Sequence, residues 1–138
     1  MATVDLPKTP VENWEAVRDA WVADVERFMT QTEVWAKRQG WGTLRDVKTI
    51  EEHRIGRYDV PTLLIHDTFG RLHLNPIARF VAGADGRIDY TFMPSWDDSI
   101  IEKDGDAWFL LHEGGDGPRS PWTEEIFVKE TRRLASLR

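Results

Sequence analysis

The sequence predicts an α+β fold in which a long N-terminal helix packs on an antiparallel meander sheet of five to six strands and a second helix ends the chain. Three observations predict it. Between residues 10 and 39 the apolar side chains recur every three or four positions, as on one face of a helix. From 47 to 112 the apolar period falls to two, with glycine or proline about every ten residues. The helical period then returns from 121 to 137.

The first predicted helix, residues 10–39, has a strongly aromatic face. The residues spaced by three and four along it are Trp14, Val17, Trp21, Val25, Phe28, Thr32 and Trp35. Thr9 and Glu12 have the spacing of a capping box, with Pro10 at the first helical position, and Gly40 can adopt the left-handed conformation that ends a helix. The positions three after each aromatic are mostly polar, which disfavours a two-stranded coiled coil. We therefore expect this face to pack on the sheet.

Six strands are predicted from the two-residue period. They lie near residues 47–55, 60–66, 71–82, 87–93, 98–103 and 107–112. The preceding segment, 41–46, contains a second glycine and is expected to be a turn. Pro76 interrupts the third strand and removes a backbone donor, so it predicts an edge position or a bulge at Asn75 and Pro76.

Three connections between strands contain residues that favour tight turns. The dipeptide Asp104-Gly105 predicts a two-residue hairpin loop that would pair Ile101 with Trp108. Asp85-Gly86 predicts a second hairpin in the same way. The segment 67–70 predicts a type I turn followed by a glycine bulge. Consecutive strands joined by such short turns are expected to be neighbours in the sheet.

The second predicted helix follows the glycine-rich segment 114–118. Ser120 is placed to cap it and Pro121 to occupy its first position, so the helix is expected over residues 121–137. Its apolar residues are fewer than those of the first helix. We expect it to cover only part of the sheet.

Composition limits the functional classes. The 138 residues suffice for one domain, residues 1–138, and a net charge of −6 disfavours non-specific binding to nucleic acid or anionic lipid. The absence of cysteine removes disulfides, thiolate metal sites and cysteine nucleophiles. No apolar run reaches ten residues and the start of the sequence lacks the apolar core of a secretory signal. A cytoplasmic location is the default expectation.

Arg18 and three tryptophans are the candidate ligand-binding residues. Arg18 falls within the apolar face of the first helix, where a guanidinium must either reach water or find a carboxylate. A structural ion pair is one interpretation, and an anion or ligand clamp in a tryptophan-lined pocket between helix and sheet is the other. The tryptophans assigned to that pocket are Trp21, Trp96 and Trp108.

His66 and His73 are the candidate metal ligands, because they flank the same predicted hairpin. If they share a face of the sheet with a carboxylate they could hold a divalent ion. Histidines at strand ends are more often partly exposed and bind no metal. No residue pattern identifies a catalytic group, and no cofactor is predicted.

Two functional hypotheses from different classes follow. The first is a small acidic, non-catalytic interaction module that binds another protein or a second copy of itself, as immunity proteins, antitoxins and chaperones do. The second is a small-molecule-binding protein, or a metal-assisted hydrolase, with a tryptophan-lined pocket between helix and sheet. A large exposed apolar patch would favour the first and a concave pocket with convergent polar groups the second.

Overall fold

The computed structural model describes residues 13–111 and 118–136, which form two helices and seven strands. These elements are α1 (Trp14–Arg38), β1 (Gly42–Glu52), β2 (Gly56–Asp67), β3 (Gly70–Ala78), β4 (Arg87–Met93), β5 (Asp98–Asp104), β6 (Ala107–Leu110), β7 (Ser120–Pro121) and α2 (Glu124–Ala135). All neighbouring strands are antiparallel, and their order in the sheet is their order in the chain. The predicted α+β meander with a helix at each end is confirmed, with seven strands instead of five or six.

The ends of α1 are fixed by local hydrogen bonds. Its N-cap is Asn13, whose side chain accepts a hydrogen bond from the Ala16 N–H at 3.1 Å, so the helix begins four residues after the predicted start. The predicted capping box of Thr9 and Glu12 lies outside the described residues. At the other end Gly40 has a φ of +82°, and its N–H and that of the next residue donate back to the last turn at 3.0 and 3.1 Å. The predicted glycine cap is confirmed as a Schellman motif.

Both helices pack on the same side of the sheet. On that side Leu74, Tyr90 and Ser99 are register neighbours on β3, β4 and β5. The Tyr90 hydroxyl lies 2.5 Å from the Thr131 hydroxyl of α2. Further along β5 on the same side, the Lys103 ammonium lies 3.2 Å from a carboxylate oxygen of α1. The core is therefore a single layer between this side of the sheet and the two helices.

The aromatic face of α1 packs against the sheet as predicted. The buried residues of this helix are Trp21, Val25, Phe28, Met29, Thr32 and Ala36. Trp14, Val17 and Trp35 are partly buried and pack against the same core. Burial of a large aromatic side chain removes roughly 150 to 250 Å² of surface from water, so this contact is a major part of the hydrophobic stabilisation.

Several strand boundaries and one turn differ from the prediction, and β2, for example, begins at Gly56 instead of residue 60. β1 begins at Gly42, so the segment predicted as a turn, 41–46, is mostly strand. β3 ends at Ala78 instead of residue 82. Its register with β4 shifts between Pro76 and Ala78, so the predicted irregularity occurs directly after the proline and not at Asn75 and Pro76. The chain reverses at Gly83, where Val81 and Ala84 bridge, so the turn predicted at Asp85-Gly86 is wrong by about two residues.

The β5–β6 hairpin is one position out of the predicted register. Asp104 pairs with Ala107, which leaves Gly105 and Asp106 as the two-residue loop. Gly105 has a φ of +62° at the first loop position, where a type II′ turn requires glycine. Ile101 consequently pairs with Leu110, and the predicted pairing of Ile101 with Trp108 is wrong.

The segment before α2 also differs from the prediction. Ser120 and Pro121 form the short strand β7 beside β6, and α2 begins at Glu124. Its N-cap is Thr123, whose side chain accepts from the Ile126 N–H at 3.2 Å. Ser120 and Pro121 were predicted as cap and first helical residue, but the backbone there pairs with β6 and the next hydroxyl residue caps the helix.

The alternation of buried and exposed side chains along β2 reverses at Pro61. Tyr58 and Val60 are buried on one alternation, whereas Leu63 and Ile65 are buried on the other. Pairing between β2 and β3 stops at Leu63, while pairing with β1 continues to the end of the hairpin. The outer half of the β1–β2 hairpin therefore turns its opposite side to the core, which brings Tyr58 to α1.

Neither helix in the described part of the chain is long and apolar enough to cross a membrane.

Candidate ligand-binding groove

Aromatic side chains from three elements meet where α1 passes β6 and β7. The Phe28 ring lies 4.8 Å from the Trp108 ring and 5.6 Å from the Trp122 ring, centroid to centroid. Trp35, two turns along α1, lies 6.5 Å from Trp122. These separations are typical of favourable aromatic pairs. The four rings form one continuous wall, although they come from distant parts of the sequence.

Two hydrogen bonds hold Trp122 in this wall. Its indole N–H donates to the Thr32 hydroxyl of α1 at 3.1 Å, and its backbone N–H donates to the Trp108 carbonyl at 2.9 Å. Thr32 is fully buried, so the first bond also satisfies a buried hydroxyl. The residue that links β7 to α2 is thereby fixed against both the helix and the sheet.

A groove with a volume of about 390 Å³ runs along this wall. Its lining residues are Asp24, Arg27, Phe28, Gln31, Trp35, Asp106, Trp108 and Trp122. We call this the aromatic groove. One side is formed by α1 and the other by the β5–β6 hairpin and the segment before α2. Its volume falls within the range of roughly 300 to 1,000 Å³ that small-molecule sites occupy.

The charged groups around the aromatic groove are not equivalent. Asp24 is bonded to the Arg27 guanidinium on its own helix and lies 3.2 Å from the Lys103 ammonium on β5. Its charge is therefore compensated. Asp106 is exposed, and in the described ranges it forms no hydrogen bond or ion pair. The groove thus contains one compensated and one uncompensated carboxylate.

The loop that carries Asp106 is anchored on both sides. The Lys103 ammonium donates to the Gly105 carbonyl, and the Gly105 N–H donates to an Asp85 carboxylate oxygen at 2.9 Å. Because Lys103 also contacts Asp24, the same ammonium joins the hairpin loop to α1. Asp106 is consequently presented from a fixed turn.

The four residues predicted to bind a ligand do not converge. Trp108 lines the aromatic groove, and Trp21 packs behind it with the two rings 5.9 Å apart. Trp21 is itself only 1% exposed. Arg18 pairs with Asp19 at 3.1 Å on the surface of α1 and does not line the aromatic groove. Trp96 lies in the β4–β5 turn, at the opposite end of β5 from Trp108.

Trp21 belongs to a buried polar chain that the sequence did not indicate. Its indole N–H donates to the Tyr58 hydroxyl at 3.1 Å, and that hydroxyl donates to Glu52. Glu52 also accepts from the backbone N–H groups of Arg79 and Phe80, at 2.9 and 3.1 Å. Burial, and then the neighbouring Glu52 carboxylate, raise the pKa of Tyr58 above its usual value. This chain ties the β1–β2 hairpin to α1 and to the segment after β3.

The two histidines share a face of the sheet but have no third ligand. His66 pairs with Arg71 and His73 with Leu64, so their side chains are diagonal neighbours on the side away from the helices. No group of three metal-ligating side chains occurs among residues 13–111 and 118–136. Burial, followed by the nearby Lys48 ammonium, lowers the pKa of His73.

The same face carries a second polar cluster that sequence reasoning missed. The Lys48 ammonium donates to the Asn75 side-chain carbonyl at 2.7 Å and to the Pro76 carbonyl at 2.6 Å. Arg87 and Asp89 form a two-point ion pair, at 2.7 and 3.2 Å. Burial lowers the pKa of Lys48, partly opposed by the Asp89 charge. These groups satisfy one another and pin β1 against β3.

The groove residues missed from the sequence had partial signals. Phe28 and Trp35 were recognised as parts of the aromatic face but assigned wholly to the core. Trp122 was assigned to the second helix, and Asp106 adjoins the predicted hairpin loop. No periodicity indicates that these four residues converge, because their convergence depends on pairings between elements far apart in the chain.

No protein family, no characterised protein and no solved structure matches this chain significantly.

Proposed function

We propose that this protein binds a small organic molecule in the aromatic groove and acts as a binding protein. The supporting observation is the groove itself: about 390 Å³ of space beside four aromatic side chains, with polar groups at its edges. Aromatic walls bury apolar ligand surface, and a few placed polar groups orient the ligand. This is the second of the two hypotheses that the sequence suggested, without its hydrolytic part.

The polar groups of the aromatic groove suit binding better than proton transfer. Asp24 is held by Arg27 and Lys103, so its carboxylate is already occupied. Arg27 is in turn committed to Asp24. Gln31 does not titrate, which leaves Asp106, exposed at the loop, as the one unpaired titratable group among the lining residues. Asp106 therefore has no second free titratable group beside it among the lining residues with which to share acid–base work.

A neutral dye whose emission depends on polarity tests the proposal. Nile red should bind the native protein saturably with an increase in fluorescence. Gln31→Trp places a large ring in the groove from an exposed helical position, so it should abolish the increase without disturbing the core. Thr30→Trp is the matched control, because Thr30 is exposed on the same helix and does not line the groove. Equal binding by both variants would place the dye elsewhere and refute the groove as the site.

A second candidate function is protein binding through Trp96. This indole is 68% exposed, and within the described residues Trp96 alone among non-glycines has a positive φ, +68°. Two backbone hydrogen bonds of 2.7 Å, between Phe92 and residues 96 and 97, hold the turn. A rigid exposed tryptophan is a common anchor in protein interfaces. Light scattering during size-exclusion chromatography should then show self-association, and Trp96→Ser should abolish it. A protein that stays monomeric at every concentration would refute self-association through Trp96.

A further inference from the structure

We propose that the aromatic groove selects organic cations, that is, ligands in which an ammonium or methylated ammonium group adjoins a small apolar body. This inference rests on the proposed function, since it names the ligand class of the same groove. It is supported by three features: ring faces without a cation of the protein's own, an unpaired carboxylate at a fixed position, and the balance of charge around the groove.

The aromatic rings of the groove are not occupied by the protein's own cations. In the part of the chain that the structure describes, guanidinium groups lie over Trp14, Phe80 and Phe109, at 3.9 to 5.8 Å from the ring centroids. None of these rings lines the aromatic groove. Indole and phenyl faces attract cations through the ring quadrupole, and indole does so most strongly. With three indoles and a phenyl ring, the groove offers this attraction to a ligand.

Asp106 supplies the ionic partner. It is the groove carboxylate that has no hydrogen bond or ion pair to the described residues, whereas Asp24 is shared by Arg27 and Lys103. Its loop is held by the Lys103 and Asp85 contacts to Gly105, so its position does not have to be ordered by the ligand. A preorganised carboxylate beside aromatic rings is the combination that recognises ammonium groups.

The charge balance of the lining favours the same ligand class. Asp24 and Asp106 contribute two negative charges, and Arg27 is the cation among the lining residues. Arg27 and the neighbouring Lys103 are both bonded to Asp24, so Asp106 is the carboxylate of the lining that has no bound cation among the described residues. The net charge of the whole chain is −6, which also favours the approach of a cation over that of an anion. A negatively charged ligand would meet an uncompensated carboxylate.

The test compares choline with 3,3-dimethyl-1-butanol, its neutral isostere in which carbon replaces nitrogen. Each is titrated into the native protein and followed by tryptophan fluorescence and by displacement of Nile red. We expect choline to bind with a Kd at least about tenfold lower than the isostere, because only the cation interacts with the rings and with Asp106. Asp106→Asn should lower this ratio several-fold and leave the part that the rings contribute, whereas Asp67→Asn, a substitution of an exposed carboxylate at the end of β2, should leave it unchanged.

The outcomes separate the two proposals. If Gln31→Trp abolishes dye binding, the groove is a binding site. The cation preference is nevertheless wrong if the isostere then binds as tightly as choline, or if neither compound displaces the dye. If choline binds equally well to Gln31→Trp, the cation site lies elsewhere and the inference is also overturned. If neither the dye nor choline responds to Gln31→Trp, the proposed function itself fails.

Discussion

Replacement of Trp21 by alanine tests whether α1 is held by its indole face. Trp21 is 1% exposed and donates through its indole N–H to Tyr58 at 3.1 Å. A tryptophan buries roughly 150 to 250 Å², which at about 25 cal/mol per Å² corresponds to about 4 to 6 kcal/mol of transfer free energy. Partial collapse of the cavity reduces this, and measured losses for such truncations are about 3 to 5 kcal/mol. We expect a loss in that range in the free energy of unfolding.

Urea unfolding followed by far-ultraviolet circular dichroism measures the loss without depending on indole emission. Trp96→Ala is the matched control, because it removes an indole that is 68% exposed. At a concentration where light scattering shows a monomer, it should change the free energy of unfolding by less than about 0.5 kcal/mol. A loss below about 1 kcal/mol for Trp21→Ala, or one no larger than that of the control, would refute the packing described here.

Three further outcomes are expected. Gly86→Ala should lower the free energy of unfolding by about 1 to 3 kcal/mol in the same assay, because φ is +155° there and an added Cβ would lie 2.3 Å from the Trp21 ring. Burial and the Lys48 charge lower the pKa of His73, so on acidification the unfolded chain binds a proton before the folded protein does. The free energy of unfolding should therefore fall as pH drops below about 6.5. His73→Gln should remove that part of the pH dependence in urea titrations. Burial alone would raise the pKa of Glu33, but hydrogen bonds from Arg45 and Thr43 on β1 outweigh this effect and lower the pKa. The stability that the Glu33 carboxylate provides should therefore be lost as pH falls below its usual pKa of 4.5. Glu33→Gln should make the free energy of unfolding depend less on pH in that range.

The features predicted correctly are those encoded within one element or one turn. The three- and four-residue spacing of α1 identified its packed face, and Gly40 marked its end because a left-handed residue closes the helix. The proline in β3 marked the irregularity that directly follows it, because it cannot donate to the ladder. In each case the physical cause acts over a few residues, so the sequence alone was sufficient.

The start of β1 was missed because its inward-facing residues are polar. Thr43 and Arg45 point towards α1 and both donate to Glu33, at 3.1 Å each. Polar side chains on the core side remove the alternation by which a half-buried strand is recognised. Their partner lies on the helix, ten and twelve residues earlier in the chain, so only the folded arrangement shows that they are satisfied.

The aromatic groove could not be predicted, because the sequence does not distinguish a tryptophan buried in the core from one that lines a groove. Trp21 and Trp108 were assigned to the same pocket, yet Trp21 is sealed against Gly86 while Trp108 remains half-buried at the groove. The observed β5–β6 register, one position from the predicted one, puts Asp106 in the loop that lines the groove, while Asp104 pairs with Arg119 at 2.7 Å. The register thus decides which carboxylate is unpaired at the groove. Because Gly105 takes the first loop position with a φ of +62°, the proposed ligand preference depends on turn geometry as much as on the number of aromatic residues.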